Sequence, residues 1–185
     1  MKGGAQFNQV QKDKILSDYK QVLTAFKTSF DALSVKSDFE EKKQMILLEI
    51  IDTMKALKKI EFPDTMTRKV VRKEIKQRFL DDENIYIRLK KLILLRERDR
   101  STRENAIKVF KNIIKFTKKS CKIMLSIKLE IFISFILERE YKHAQVVKER
   151  LQCFKLIQTW LERDPKSFPF LFGQTIASIA KNPED

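Results

Sequence analysis

Apolar residues recur every three or four positions along almost the whole chain, and that rhythm predicts helices rather than strands. Residues 1–7 carry no such pattern and are expected to be a disordered start. Leu16, Tyr19, Leu23, Phe26, Phe30 and Leu33 then form one stripe on a helix over 8–33. Ser37-Asp38-Phe39-Glu40 reads as a capping box that satisfies the first unpaired amides of a second helix. That helix carries Leu47, Ile50, Ile51, Met54 and Leu57 inward, and Pro63 blocks its continuation. Two stripes joined by so short a link predict an antiparallel αα-hairpin. A basic amphipathic helix over 65–80 follows, with Val71, Ile75 and Phe79 inward and Lys69, Arg72, Lys73 and Lys76 outward. Asp81-Asp82 opens a helix over 83–96, where acids suit the positive helix end. Ser101-Thr102-Arg103-Glu104, a second capping box, opens one that runs to 116. Further helices are predicted over 121–138, 144–162 and 168–181, with Pro165 and Pro169 in the last link and first turn.

The second half of this pattern repeats itself. Shifted by 47 residues, Arg103 falls on Arg150, Ala106–Phe110 on Cys153–Ile157, and Ile113-Ile114 on Trp160-Leu161. Lys119-Ser120 falls on Lys166-Ser167, Ile123–Leu125 on Phe170–Phe172, and Leu129 and Phe132 on Ile176 and Ile179. Paired helices at this period characterise HEAT and armadillo arrays, whose units bury their apolar faces by stacking on neighbours. The expected fold is therefore all-α: an αα-hairpin and basic helix over 8–82, then a HEAT/armadillo-like solenoid over 83–185. Phe110, Ile114, Phe132, Ile136, Phe154, Ile157, Leu161 and Ile176 should form one core between successive helix pairs, with Trp160 also inside. The chain stops at Asn182-Pro183-Glu184-Asp185, where a further helix pair is due, so the array is expected to continue.

Composition agrees with helices and narrows the chemistry. Three glycines and four prolines in 185 residues leave little material for tight turns. With two of those glycines at positions 3 and 4, no phosphate-cradling glycine loop can be built. One histidine and two cysteines on separate helices make no zinc set. His143 is expected in a polar link, and Cys153 in an apolar register as an unbridged thiol. Cys121 has Lys118, Lys119 and Lys122 around it, which could lower its pKa, but no histidine is paired with it. No catalytic, cofactor or metal site is expected. The apolar run over 123–137 is interrupted by Lys128 and Glu130 and is too short to span a bilayer, and residues 1–20 lack a signal-peptide core. A cytoplasmic protein is expected.

The net charge of +14 is concentrated, with 14 Lys/Arg against three acids over residues 84–128. Lys108, Lys111, Lys115 and Lys118 recur at three- and four-residue spacing, so they share a helix face opposite Ile107, Phe110 and Ile114. This face is the candidate partner-binding surface, with a merely solvated face as the alternative. Nucleic acid is not expected, because no exposed aromatic platform accompanies the charge. A different helical-repeat adaptor, or a basic domain binding nucleic acid or anionic lipid, remains open from these residues alone.

The segment 146–161, Val-Val-Lys-Glu-Arg-Leu-Gln-Cys-Phe-Lys-Leu-Ile-Gln-Thr-Trp-Leu, followed by Ser167-Phe168-Pro169 and Ile176-Ala177-Ser178-Ile179-Ala180, resembles the N-terminal conserved region of the Rictor/Pianissimo family. Arg103–Lys111 and Leu125–Glu130 resemble the preceding helices of that region, so the likeness covers about residues 84–182. Cys153 stands where the family has alanine, and Gln158 where it has arginine or lysine. The resemblance implies a non-catalytic scaffold subunit of TOR complex 2. It would bind TOR kinase and the other subunits, and meet the plasma membrane peripherally through the complex. It carries over no catalytic residues.

Overall fold

The computed structural model describes residues 8–32, 40–60, 64–93, 99–138 and 144–181, and among these every regular element is helical. In chain order they are α1 (Gln9–Ala32), α2 (Glu40–Lys59), α3 (Thr65–Asp81), α4 (Glu83–Lys91) and α5 (Arg100–Phe116). α6 (Ser120–Ser126), α7 (Leu129–Glu138) and α8 (Ala144–Arg163) follow, then a 3-10 turn at Pro165–Ser167 and α9 (Phe170–Lys181). The first capping box, Pro63 and His143 lie wholly or largely outside the described residues.

Three of these helices form a parallel layer, α2 beside α5 beside α8. At the starts of α2 and α5, Gln44 Nε2 donates to Asp99 Oδ2 at 2.7 Å. At their far ends the Lys58 ammonium lies 5.1 Å from the centre of the Phe116 ring. Between α5 and α8, the Arg103 guanidinium grips Glu149 with Nε–Oε1 at 2.7 Å and Nη2–Oε2 at 3.1 Å, both side chains nearly out of water. At the other end Arg163 Nη2 donates to the Lys115 carbonyl at 3.1 Å. Those partners are 46 and 48 residues apart, which is the repeat period expressed as contact. Sandwiched on both sides, α5 buries Ala106, Ile107, Val109, Phe110, Ile113 and Ile114.

The remaining helices flank this layer. α1 packs on α2 and reaches α3 through Tyr19, whose hydroxyl lies 3.1 Å from Glu74 Oε2. α7 packs on α8 and α9, and Thr175 Oγ1 of α9 donates to Glu138 Oε1 of α7 at 3.0 Å. Trp160 is fully buried, edge-on to Phe172 at 5.8 Å, and its indole N–H donates to Ser167 Oγ in the 3-10 turn at 3.2 Å. Buried indole nitrogens need such a partner, and the Pro165–Ser167 turn supplies it.

Several local expectations are corrected. The N-cap of α5 is Asp99 rather than Ser101, its carboxylate accepting from the Ser101 and Thr102 amides while Glu104 pairs instead with Lys108. α4 ends at Lys91, where the Leu92 and Ile93 amides close tight turns onto the Leu89 and Lys90 carbonyls, and Ile93 is buried; the rest of the expected helix, residues 94–96, lies outside the described residues. The single helix expected over 121–138 is broken into α6 and α7. Lys128 sits there at φ 59°, and the Ile127 carbonyl is taken by the Lys90 ammonium, which also lies 4.7 Å from the Phe132 ring centre. The break has a packing cause: α6 contacts α3 and α4, whereas α7 turns to α8 and α9.

The predicted core is right in part. Phe110, Ile114, Ile136 and Ile157 are buried, and Phe132 is half-buried beneath Lys90. Phe154, Leu161 and Ile176 are instead 37%, 50% and 37% exposed. Their repeat equivalents Ile107, Ile114 and Leu129 are at most 1% exposed. The difference is not in residue type. α5 has α8 against that face, and among the described residues nothing lies against the same face of α8.

Two outcomes follow for stability. A left-handed non-glycine residue costs roughly 1 kcal/mol, so Lys128→Gly should raise urea stability by up to about that amount, and Lys128→Val should lower it. Removing one partner of a buried ion pair strands the other charge, so Glu149→Leu alone should cost about 3–5 kcal/mol. Arg103→Met combined with Glu149→Leu should recover most of that loss, measured by a double-mutant cycle in urea.

Candidate functional site

α5 carries the four lysines singled out from the sequence, but the structure does not keep them equivalent. The Lys108 ammonium is 2.7 Å from Glu104 Oε1 and 3.2 Å from Asn105 Oδ1, so its charge is met within its own helix. Lys111 is half-buried in the seam between α5 and α8, donating to Gln152 Oε1 at 3.4 Å. Lys115 is exposed in the last turn, and Lys118 lies beyond the helix, exposed in the turn that leads to α6. The uniform stripe is therefore corrected to a cluster at the C-terminal end of the layer.

Three cations that the stripe did not include complete this cluster. Lys58 comes from the last turn of α2, Lys155 from the middle of α8, and Arg163 from its last turn. Burial, then Lys115, Arg163 and Lys111, hold the Lys58 ammonium below its ordinary pKa. Burial, then Lys115, Lys155 and Lys108, do the same to Lys111. The repeat gave no signal for Arg163, since the position 47 residues beyond Lys115 is Glu162. For Lys58 there was none either: nothing local says that α2 runs parallel to α5.

The N-terminal end of the layer is electrostatically opposite. Burial alone would raise the Asp99 pKa, but hydrogen bonds from Thr102, Gln44 and Ser101 outweigh it and hold the carboxyl below its usual value. Asp99 thus stays ionised at a positive helix end, as a capping acid should.

Cys121 and Cys153 are unbridged and fully buried. The neighbouring lysines do not activate Cys121: burial first, then Asp164, push its thiol up to about 12 against an opposing Ser167 hydrogen bond. Burial raises Cys153 well above the ordinary value too. Among the described residues no cluster of His, Cys, Asp and Glu could hold a metal ion, and no helix is long and apolar enough to cross a membrane.

The architecture defined so far is an all-helical protein whose equivalent helices pack side by side at a one-repeat interval, with a basic edge. Compared with known proteins, the chain is 41% identical over 64 residues to Protein pianissimo A of Dictyostelium discoideum. That match covers 35% of this chain and 5% of the relative, so it takes in only a small part of that relative's length. No family model matches the chain, and no solved structure matches it.

The thiols provide a direct check on the packing. At pH 8 the native protein should leave Ellman's reagent unreacted, and both thiols should titrate once urea unfolds it. Because both folded pKa values are raised, their contribution to stability is complete below the unfolded value of about 9 and is lost as pH climbs above it, for Cys121 toward about 12. A urea-melt series from pH 8 to 10.5 should therefore decline, and less so for Cys121→Ala.

Proposed function

We propose that this chain is a stretch of a non-catalytic scaffold, built as a HEAT/armadillo-like solenoid, that serves in a TOR complex 2-type assembly. The observation that carries the proposal is the α5–α8 seam, where parallel, repeat-related helices contact each other at one-repeat separation. Stacking of that kind propagates, because each unit offers the next the face that it has itself covered. α8 offers such a face. Val147, Leu151, Phe154 and Leu161 project from the side opposite Glu149 and Cys153, and each is more than a third exposed. The partial likeness to Protein pianissimo A supports placing the scaffold in this family's complex. In that reading TOR kinase and the other subunits are the partners, the cytoplasm is the site of action, and the plasma membrane is met peripherally through the complex.

The test uses the full-length protein, tagged and purified from its own cells. TOR kinase should co-purify with the wild type. It should be lost with Leu151→Asp combined with Leu161→Asp, which spoils the α8 face while leaving the α5–α8 seam intact. Wild-type protein recovered without TOR kinase would end the TOR complex 2 reading, and a different helical-repeat adaptor would take its place. As a stability check, Phe154→Ala in the 185-residue chain should cost no more than about 1.5 kcal/mol, well under the roughly 3–5 kcal/mol of a fully buried phenylalanine.

A further inference from the structure

Three parallel helices end at one edge of the layer, and each brings cations to it. Lys58 is in the last turn of α2, Lys115 in that of α5, and Arg163 in that of α8, while Lys111 and Lys155 lie on the same side within electrostatic reach. Part of this charge has a structural use, since helix C-termini are negative and favour cations. Each terminus carries only about half an elementary charge, however, so three of them offset about 1.5 of the five positive charges. Among the described residues, none of the five is in a salt bridge. Donors also remain: Lys58 lies against the Phe116 ring, Lys111 uses a single bond to Gln152, and Arg163 gives one N–H to the Lys115 carbonyl.

We propose that this edge is a binding site for a compact, soluble polyphosphate anion, clasped by Lys58, Lys111, Lys115, Lys155 and Arg163. The shape of the cluster decides for such a ligand over an acidic peptide. An extended peptide spreads its carboxylates over several residues at about 3.3 Å each and needs a stripe to follow. The stripe on α5 is cut short, because Glu104 already neutralises Lys108. What remains is a focus fed by three helices, matched by a small ligand with three or more charges on adjacent oxygens. Burial first and crowding of like charge second depress the Lys58 and Lys111 ammonium groups, and a bound anion would relieve the second of these. The inference rests on the charge cluster alone and does not need the scaffold reading.

Isothermal titration of the 185-residue chain with sodium tripolyphosphate, at about 0.15 M NaCl, tests it. Saturable binding at one-to-one stoichiometry is expected. The double variant Lys58→Gln/Lys115→Gln should weaken it about tenfold or more, and Lys155→Gln/Arg163→Gln should do the same should the first fold poorly by circular dichroism. Lys69→Gln/Lys73→Gln on α3 removes the same net charge away from the cluster and should change affinity by less than about twofold. Three results would each overturn the proposal: no saturable heat, equal loss in the α3 control, or tighter binding of a Glu-rich dodecapeptide than of tripolyphosphate. Binding to phosphoinositide vesicles that tripolyphosphate cannot displace would overturn it as well.

Discussion

The ion pair between Arg103 and Glu149 fixes how α5 and α8 meet. Two ionised groups almost wholly removed from water are costly, and the bidentate geometry must be met before the seam is favourable at all. Apolar contacts alone would tolerate a slide of one helical turn along α8, since the stripe repeats every three or four residues. The charge pair would not. A slide of one turn, about 5.4 Å, would strand both charges in the seam. Register between α5 and α8 is thus set by a polar contact, and the burial of Ile107, Ile114, Cys153 and Trp160 follows from it.

The parallel arrangement of α2, α5 and α8 has its own electrostatic logic. Like helix ends lie together, so the layer has a positive edge and a negative one. Asp99 answers the first as a cap that also ties α2 to α5 through Gln44. Lysine and arginine in the final turns answer the second. The same polarity, unfavourable where like helix ends meet, therefore gathers cations into one place, beyond the number needed to balance the helix ends.

Much of the helical content was legible in the sequence, because amphipathic stripes are a local property, and among the described residues five of the nine α-helices (α1, α3, α5, α8 and α9) both begin and end within two residues of where periodicity puts them. The failures lie where a neighbour decides. Lys128 carries no glycine or proline signal, and the chain breaks there only because α6 and α7 pack on different helices. Phe154 and Leu161 read as core since their equivalents in α5 are core, and a one-dimensional pattern cannot tell which copy has a neighbour. Ser101 matched a capping box, yet Asp99 two residues earlier is the stronger acceptor and was reached by Gln44 from another helix. At the basic site, two of the four lysines, Lys111 and Lys115, belong to the cluster, but their grouping with Lys58 and Lys155 depends on the lateral order of the layer. Spacing on one helix could not supply that order.

The interval of 46 to 48 residues between partners across the α5–α8 seam also bears on how such a chain assembles in time. Loop-closure entropy grows only with the logarithm of loop length, and in an array with a fixed interval it is the same for every seam. In such an array each helix would search for a partner at a constant distance along the chain, whatever the total length, although the α2–α5 seam here spans a longer one, 55 residues from Gln44 to Asp99. Folding can then begin at any unit and spread outward, and it can keep pace with synthesis by docking each new helix on the one finished some 47 residues before. A very long protein built this way would carry no kinetic penalty for its size. Its vulnerable moment at each step would be the interval in which the newest helix, as α8 does here, still presents an uncovered apolar face.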